Sequence, residues 1–417
     1  MIMRNCLTCS SCGTAITTRF GVGHGTKQVH SFPCPTCGVV ITCVMRLDQD
    51  KPDAHLEDPI NAVWLPELVE TQHFALFHAE VLGPRTDFSP GDGPSPFVTS
   101  GHFFEDYLEF QKQERLREQI RKEYWEPVKR SAVHFERRQW DLFTKEIELI
   151  LKEKLKTTWQ DRVHQMSECF GYSVNWFVLD LFHLWRHQAV RFARAFVAHS
   201  TELQVFAEDF RRSGRFIHLW RQIVPLYDAF IRSYPSWMPI LQLRYWKKPH
   251  PPLDTLFVSD KRFEELRTIY LNAFELLGRI SVIALAVEQI AATGATGYTT
   301  KKGEAKTIWD FEAMDSGQKH QQLSKHAGTK HLVPLLDTKL RNGIGHYAAH
   351  YDASTDEVVC IKADGATLNE WRISYAGFCY ALLEMVSHVF FEQQYFFDLL
   401  GLSKDLFATR AKPKVKP

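Results

Sequence analysis

Two groups of residues have types and spacings that can do chemistry. The first is Cys9-Ser-Ser-Cys12-Gly13 and Cys34-Pro-Thr-Cys37-Gly38, two CxxCG units with 21 residues between Cys12 and Cys34. Zinc favours four thiolates in a tetrahedron, and each CxxC turn can place two sulfurs on one ion. The glycine after each second cysteine permits a tight turn whose amide approaches a sulfur. Cys6 makes a rival CxxC with Cys9, but Gly13 favours the Cys9/Cys12 register. His24, His30 and Cys43 are substitute ligands in the same stretch. The expected centre is a closed, structural Zn(II) site on Cys9, Cys12, Cys34 and Cys37, with no open position for catalysis.

The second group is the run Arg341-Asn342-Gly343-Ile344-Gly345-His346. On a helix turning about 100° per residue, Leu336, Leu340, Ile344 and Tyr347 share the face that a packed helix buries. Arg341, Asn342, Gly345 and His346 fall on the opposite side. Histidine moves protons near neutral pH, and the negative end of the helix dipole favours the imidazolium. Arg341 stays protonated and can bond two phosphate oxygens together. Asn342, four residues before His346, can orient the ring or hold a ribose. Cleavage of RNA through its 2′-hydroxyl needs such groups and no metal, and no carboxylate cluster suited to magnesium is evident. His350, four residues after His346, offers either a two-histidine metal pair or a hydrogen bond at a helix end or hairpin.

The 417 residues allow two or three domains, and 45% hydrophobic with 13% aromatic residues can fill sizeable cores. A formal charge of +1 gives no global field that would mark a nucleic-acid binder, so any such surface must come from local clustering. Met1–Cys6 lacks the charged start and apolar run of a secretory signal. The apolar stretch Ile280–Val287 is too short to span a bilayer. Six of the nine cysteines fall in the first 43 residues, which reads as metal binding in a reducing compartment, the cytoplasm.

The expected fold is mostly α. Residues 1–45 form a zinc ribbon with short strands at Thr14–Phe20 and Val39–Val44, too small for a core of its own and folded by its metal. Residues 46–100 read as a connector, broken by prolines and glycines, with one helix over Asn61–Val81. Residues 101–248 read as a helical domain: Phe104–Glu126 and Val128–Lys156 divided at Pro127, then Trp176–Ala198 and Leu203–Ser233 with a capping box at Thr201–Gln204. Its dense aromatics, among them Trp176, Phe177, Phe182, Trp185, Phe192, Phe196, Phe206 and Phe210, are mostly core. Arg186, Arg191, Arg194, Arg211, Arg212, Arg215 and Arg221 interleave with them. They could grip RNA backbone and stacked bases, or form a solvated face paired with Glu208 and Asp209.

The prolines of Lys247–Pro252 mark a boundary. Ser259 or Asp260 then caps a long helix whose stripe is Phe263, Leu266, Tyr270, Ala273, Leu277, Ile280, Ala284 and Val287. Thr293–Gly303 reads as a loop and Glu304–Ala327 as a shorter helical piece. Asp364-Gly365 between the strand-like runs Asp356–Ala363 and Ala366–Ile373 signals a hairpin. The apolar helix Tyr375–Leu400 should pack on the long one, and residues 403–417 form a basic tail.

Residues 254–402 resemble the HEPN superfamily: a long helix, an RNxxxH segment, a hairpin and a closing apolar helix, with Leu340-Arg-Asn-Gly-Ile-Gly-His-Tyr347 similar to its R-x4-6-H motif. The resemblance covers about a third of the chain. Gly343 and Gly345 depart from the commoner alanines, at about 1 kcal/mol each in a helix interior. The resemblance implies a metal-independent endoribonuclease of a toxin–antitoxin or anti-phage (abortive infection) system, with Arg341, Asn342 and His346 catalytic. It also implies a homodimer that brings two motif helices together. The alternative is a non-catalytic adaptor that binds RNA or protein through the HEPN and ribbon modules. The helical middle region would then be the place for an inhibitor or sensor partner, and no membrane association is expected.

Overall fold

The computed structural model of the chain describes residues 2–23, 25–48, 53–69, 71–78, 80–84, 104–152, 158–299, 305–336, 338–345, 349–364 and 367–403. The protein is mostly helical with several small sheets. Its residues gather into two compact units, each drawn from three separated segments. The first comprises Met1–Gln113, Arg232–Thr268 and Asn342–Leu383, the second Glu114–Ile231, Ile269–Arg341 and Glu384–Pro417.

In the first unit, β1 (Ile2–Cys9) and β2 (Ala15–Gly21) form one antiparallel hairpin, and β3 (Lys27–Pro33) and β4 (Val40–Asp48) form another. A CxxCG unit turns the chain at the tip of each. Side chains alternate across a strand, so Ile41, Cys43 and Met45 of β4 all point into the core. Among the described residues of Asn61–Val81 there is no helix; β6 (Ala62–Trp64) and β7 (Phe74–His78) stand there instead, preceded by β5 (Asp53–Leu56). Pro66 has no amide to continue a helix, and Ala75 and Phe77 are buried at a spacing of two, the period of a strand. Strand β5 extends β3–β4, while β6 and β7 flank the first hairpin in the order β6-β1-β2-β7, with β7 parallel to β2. Ala62, Ala75 and Phe77 thereby join Leu7, Ile16, Phe20, Phe32 and Ile41 in one core. The hairpins thus share an apolar core with β6 and β7, larger than expected for an isolated ribbon, and the candidate ligands Cys9 and Cys34 belong to it.

His30 sits inside that core, fully buried between the rings of Phe20 and Phe77 at 5.1 and 5.7 Å. Neither ring nitrogen has a hydrogen-bond partner among the described residues. Burial, reinforced by His78, pushes its pKa down to about 3, whereas an unfolded chain protonates histidine near about 6.5. The unfolded state therefore binds more protons, and stability should fall as pH drops from about 6.5 toward 3. Chemical denaturation of wild type and His30→Leu across this window should show a shallower slope for the variant. Parallel profiles would remove His30 as the cause.

The rest of the first unit includes a three-stranded antiparallel sheet of Ala349–Asp352, Glu357–Asp364 and Thr367–Ser374. Asp364, expected in the turn, instead pairs with Thr367, while residues 365 and 366 lie outside the described residues.

The helices differ from expectation mainly in where they break. Helix Tyr107–Gln119 runs through a π-helical turn, Ile120–Tyr124, into Trp125–Arg137. Pro127 lies just downstream, and its ring crowds the carbonyl four residues earlier; a wider turn relieves that clash. The next break has no proline or glycine: Arg138 adopts φ 58°, its amide and that of Gln139 close on Phe135 and His134, and Trp140–Leu151 begins. Helix Phe182–Arg212 passes through residues 201–204, so the expected capping box is helix interior, and the irregular backbone lies at His199. Gly214 (φ 78°) then separates it from Arg215–Arg232.

Aromatic packing builds the core of the second unit, with Phe135 about equally close to Trp159 and Trp220 (5.2 Å each) and Phe170 beside Phe397. Phe177, Phe206 and Phe210 are buried as expected, while Phe196 is 41% exposed. All eight stripe positions of the long helix Phe263–Thr293 are buried. By length and composition that helix could cross a membrane, but 72% of its apolar window is buried inside the protein. At its start Phe263 packs against Phe378 of the closing helix Tyr375–Leu402, ring centroids 5.4 Å apart. Asp260 is engaged by Ser236 and Arg262. Two short helices, Ile308–Glu312 and Ser316–Leu323, follow a short strand, Ala305–Lys306, and the first is closed by a Thr307/Asp310 capping box. The basic tail from Lys404 lies outside the described residues.

Candidate metal centre and candidate active site

The two knuckles repeat each other bond for bond. Gly13 N–H donates to Cys9 O and Gly38 N–H to Cys34 O, both at 2.9 Å, and both glycines have φ 74°. A side chain is strained at that φ, which explains why the glycine follows the second cysteine in each unit. The four sulfurs of Cys9, Cys12, Cys34 and Cys37 lie within 4.8 Å of one another. Cys9 faces Cys37 at 3.7 Å and Cys12 faces Cys34 at 3.6 Å. A tetrahedron with metal–sulfur arms of about 2.3 Å has edges of about 3.8 Å, so this donor set fits one metal ion. A hydrogen bond with Thr14, at 3.1 Å, draws the Cys12 thiol down to about 6.

The substitute ligands are elsewhere. Cys43 faces the core, where burial pushes its thiol up to about 12, and His30 is sequestered as described. Cys6 is buried beside Thr17. His24 lies outside the described residues.

Arg341, Asn342, Gly343, Ile344 and Gly345 lie on the helix Thr338–Gly345. His346 and Tyr347 lie outside the described residues. Leu336 and Ile344 are buried, Leu340, Arg341 and Gly345 half-buried, and Asn342 exposed. His350 is not helical but exposed on a strand.

Gly343 is buried for a reason visible in its neighbours. A Cβ there would come within 2.7 Å of Cys360 Cβ and 3.0 Å of the Trp371 ring. The helix thus approaches the C-terminal sheet more closely than alanine allows. Gly343→Ala should destabilise the protein by about 1–3 kcal/mol through overpacking, read as a lowered midpoint in denaturant; an unchanged midpoint would show that the contact relaxes freely. Arg267, far from this helix in sequence, has no local motif to mark it. Its Nε donates to the Ile344 carbonyl at 2.9 Å, placing a cation at the helix's C-terminal end.

Arg341 pairs with Glu275 of the long helix at 2.8 Å, with 32% and 50% of the two side chains exposed. Glu275 borders a cavity of about 210 Å³ shared with Arg279, Glu312, Lys319 and Leu336. Arg279 donates to Gln222 Oε1 and contacts His218 Nε2. Burial lowers the Lys319 pKa. These groups carry no local motif and become neighbours only through the fold. Of the arginines noted in the middle region, Arg191, Arg211, Arg212, Arg215 and Arg221 pair with Glu288, Glu208, Glu208, Glu312 and Glu136. Arg215 also lies over the Trp309 ring at 4.2 Å. Arg186 and Arg194 are exposed.

Comparison with protein families, with curated proteins and with solved structures finds no match in any of the three.

Proposed function

We propose that the chain is a metal-independent endoribonuclease of HEPN type, a cytoplasmic toxin or abortive-infection effector that cleaves cellular RNA by 2′-hydroxyl attack. The observation that carries this reading is an order of elements: a long buried-stripe helix, a short helix bearing Arg341 and Asn342, a small antiparallel sheet and an apolar closing helix. His346 would move the proton, Arg341 hold the phosphate and Asn342 orient the ring or the ribose. A second copy of the motif face completes the site, so a strictly monomeric active enzyme counts against it. The four thiolates hold a structural zinc in a ribbon-like module, and their closed set gives the metal no open position for water.

The Arg341–Glu275 pair is solvent-accessible, and such pairs contribute only about 0–1 kcal/mol. A phosphate can therefore displace Glu275. Glu275→Gln should keep the thermal midpoint within about 2 °C and lower KM for RNA with kcat held. A raised KM would mean that Glu275 positions the arginine for substrate. That same pairing favours a second reading, a non-catalytic RNA- or protein-binding adaptor, because it satisfies Arg341 without any substrate. Sequencing RNA ends after brief induction of wild type and His346→Ala separates the two. New ends confined to wild type support the nuclease, and identical ends support the adaptor, whose RNA binding should survive the substitution and weaken with salt.

A further inference from the structure

Gly278 sits midway along the helix Phe263–Thr293, where neither backbone nor packing calls for glycine. Glycine weakens a helix relative to alanine, and a Cβ at this position would meet nothing within 4 Å. The space it leaves open is the cavity of about 210 Å³, which it lines together with Glu275, Arg279, Glu312 and Lys319. Sites for drug-sized ligands run from about 300 to 1,000 Å³, so this one suits a single charged group.

Two of the lining groups are cations with no carboxylate partner. The Lys319 ammonium makes no hydrogen bond or ion pair among the described residues, and it lies 5.9 Å from the centroid of the Phe311 ring. Arg279 reaches Gln222 Oε1 at 2.6 Å and His218 Nε2 at 3.0 Å, and no carboxylate among the described residues. Both side chains are partly exposed, so a solute can reach them. The two carboxylates of the cavity are each engaged by an arginine, Glu275 by Arg341 at 2.8 Å and Glu312 by Arg215 at 2.6 Å. Four cations thus face two acids, and the two cations without an acid border the cavity. Burial opposes the charge on Lys319, Arg279 adds to this, and Glu275 and Glu312 offset it only in part. An anion in the cavity would stabilise both cations. All these residues belong to the second unit.

On the reading that Arg341 holds the scissile phosphate of RNA, we propose that the cavity binds the neighbouring phosphodiester of the same strand, with Lys319 as a point charge and Arg279 as a fork. A guanidinium can take two oxygens of one phosphate, and an ammonium adds charge without fixing geometry. Glu275 both pairs with Arg341 and lines the cavity, so the two phosphate positions are one side chain apart. Contacts to backbone phosphate set the register of a strand and carry no base preference.

Fluorescence anisotropy of the full chain with a labelled single-stranded 2′-O-methyl RNA of about twelve nucleotides, which cannot attack through its 2′-oxygen, tests this. Lys319→Gln combined with Arg279→Gln should weaken binding about tenfold or more. It should also lower the slope of log affinity against log salt by about 0.7, the share of one phosphate on a single strand. Gly278→Leu keeps both cations but fills the cavity, and should weaken binding as much; a melting curve checks its fold. Adding Arg341→Ala to the double variant should lower the slope by about 0.7 more. Full affinity in a folded Gly278→Leu would mean diffuse surface charge and overturn the cavity. So would an unchanged slope in the double variant, no further fall on adding Arg341→Ala, or equally tight binding of polyglutamate of the same length. Displacement of the RNA by inorganic phosphate at micromolar concentration would assign the cavity to a free ion instead. Failure of the nuclease reading shows elsewhere, as undiminished cleavage of ordinary RNA by His346→Ala, and leaves these affinities as they are.

Discussion

His346→Ala is expected to slow RNA cleavage by the purified chain by a factor of about 10²–10⁴, the range that loss of one proton-transferring group produces. EDTA should leave the wild-type rate unchanged, because the proposed catalytic groups are side chains. Arg341→Ala should cost about 10²–10³ through lost stabilisation of the phosphorane charge. The Arg341 loss should not be confused with unfolding: its side chain is 32% exposed and its partner Glu275 50% exposed, and changes at such positions usually stay within about 0.5 kcal/mol. Single-turnover cleavage of a labelled RNA, beside a melting curve for each variant, makes the comparison. Cleavage by both variants at the wild-type rate sinks the nuclease reading and leaves the adaptor.

The second large effect concerns the thiol cluster. The chain should carry one zinc ion, and removing it with a strong chelator should lower the melting midpoint by at least about 10 °C, since several kcal/mol of coordination energy are lost. The fold should weaken rather than vanish, because Phe20, Phe32, Ile41, Ala62 and Phe77 bury apolar surface together beside the ligands Cys9 and Cys34. Cys12→Ser is the discriminating variant. Cys12 is exposed and Cys34 buried, so without metal Cys34→Ser would be much the more damaging. With metal, either change removes one of four ligands, and the two midpoints should fall together. A metal-free chain, or a silent Cys12→Ser, would end the zinc assignment.

How far these features could be read from sequence depends on how local they are. The knuckles are encoded within five residues each, and Gly13 and Gly38 announce the backbone conformation that places the sulfurs. The long helix announces itself through its stripe, every position of which is buried. Strands β5 to β7 gave no such signal. They are short, and their apolar residues find partners in β1, β2 and β4, far away in sequence. The turn at Arg138 was hidden because a left-handed residue is usually glycine or asparagine. At the motif helix, the glycine at 343 was legible as an oddity, but Cys360 and Trp371, which explain it, are supplied by the sheet. Glu275, 66 residues before Arg341, has nothing local to mark it as a partner. The same holds for Arg279 and Lys319, which meet at one cavity from separate helices.

The pairing of sulfurs across the two knuckles has a consequence in chain entropy. Cys12 meets Cys34 across 22 residues and Cys9 meets Cys37 across 28, so one loop is nested inside the other. Closing a loop restricts the chain by an amount that grows only with the logarithm of its length. Once the inner pair has met, the outer pair is already held close, and four donors are assembled for little more than one closure. Two loops lying side by side would be closed separately. Uptake of the ion should accordingly be all-or-none, with no lasting two-thiolate state between the empty and the filled site.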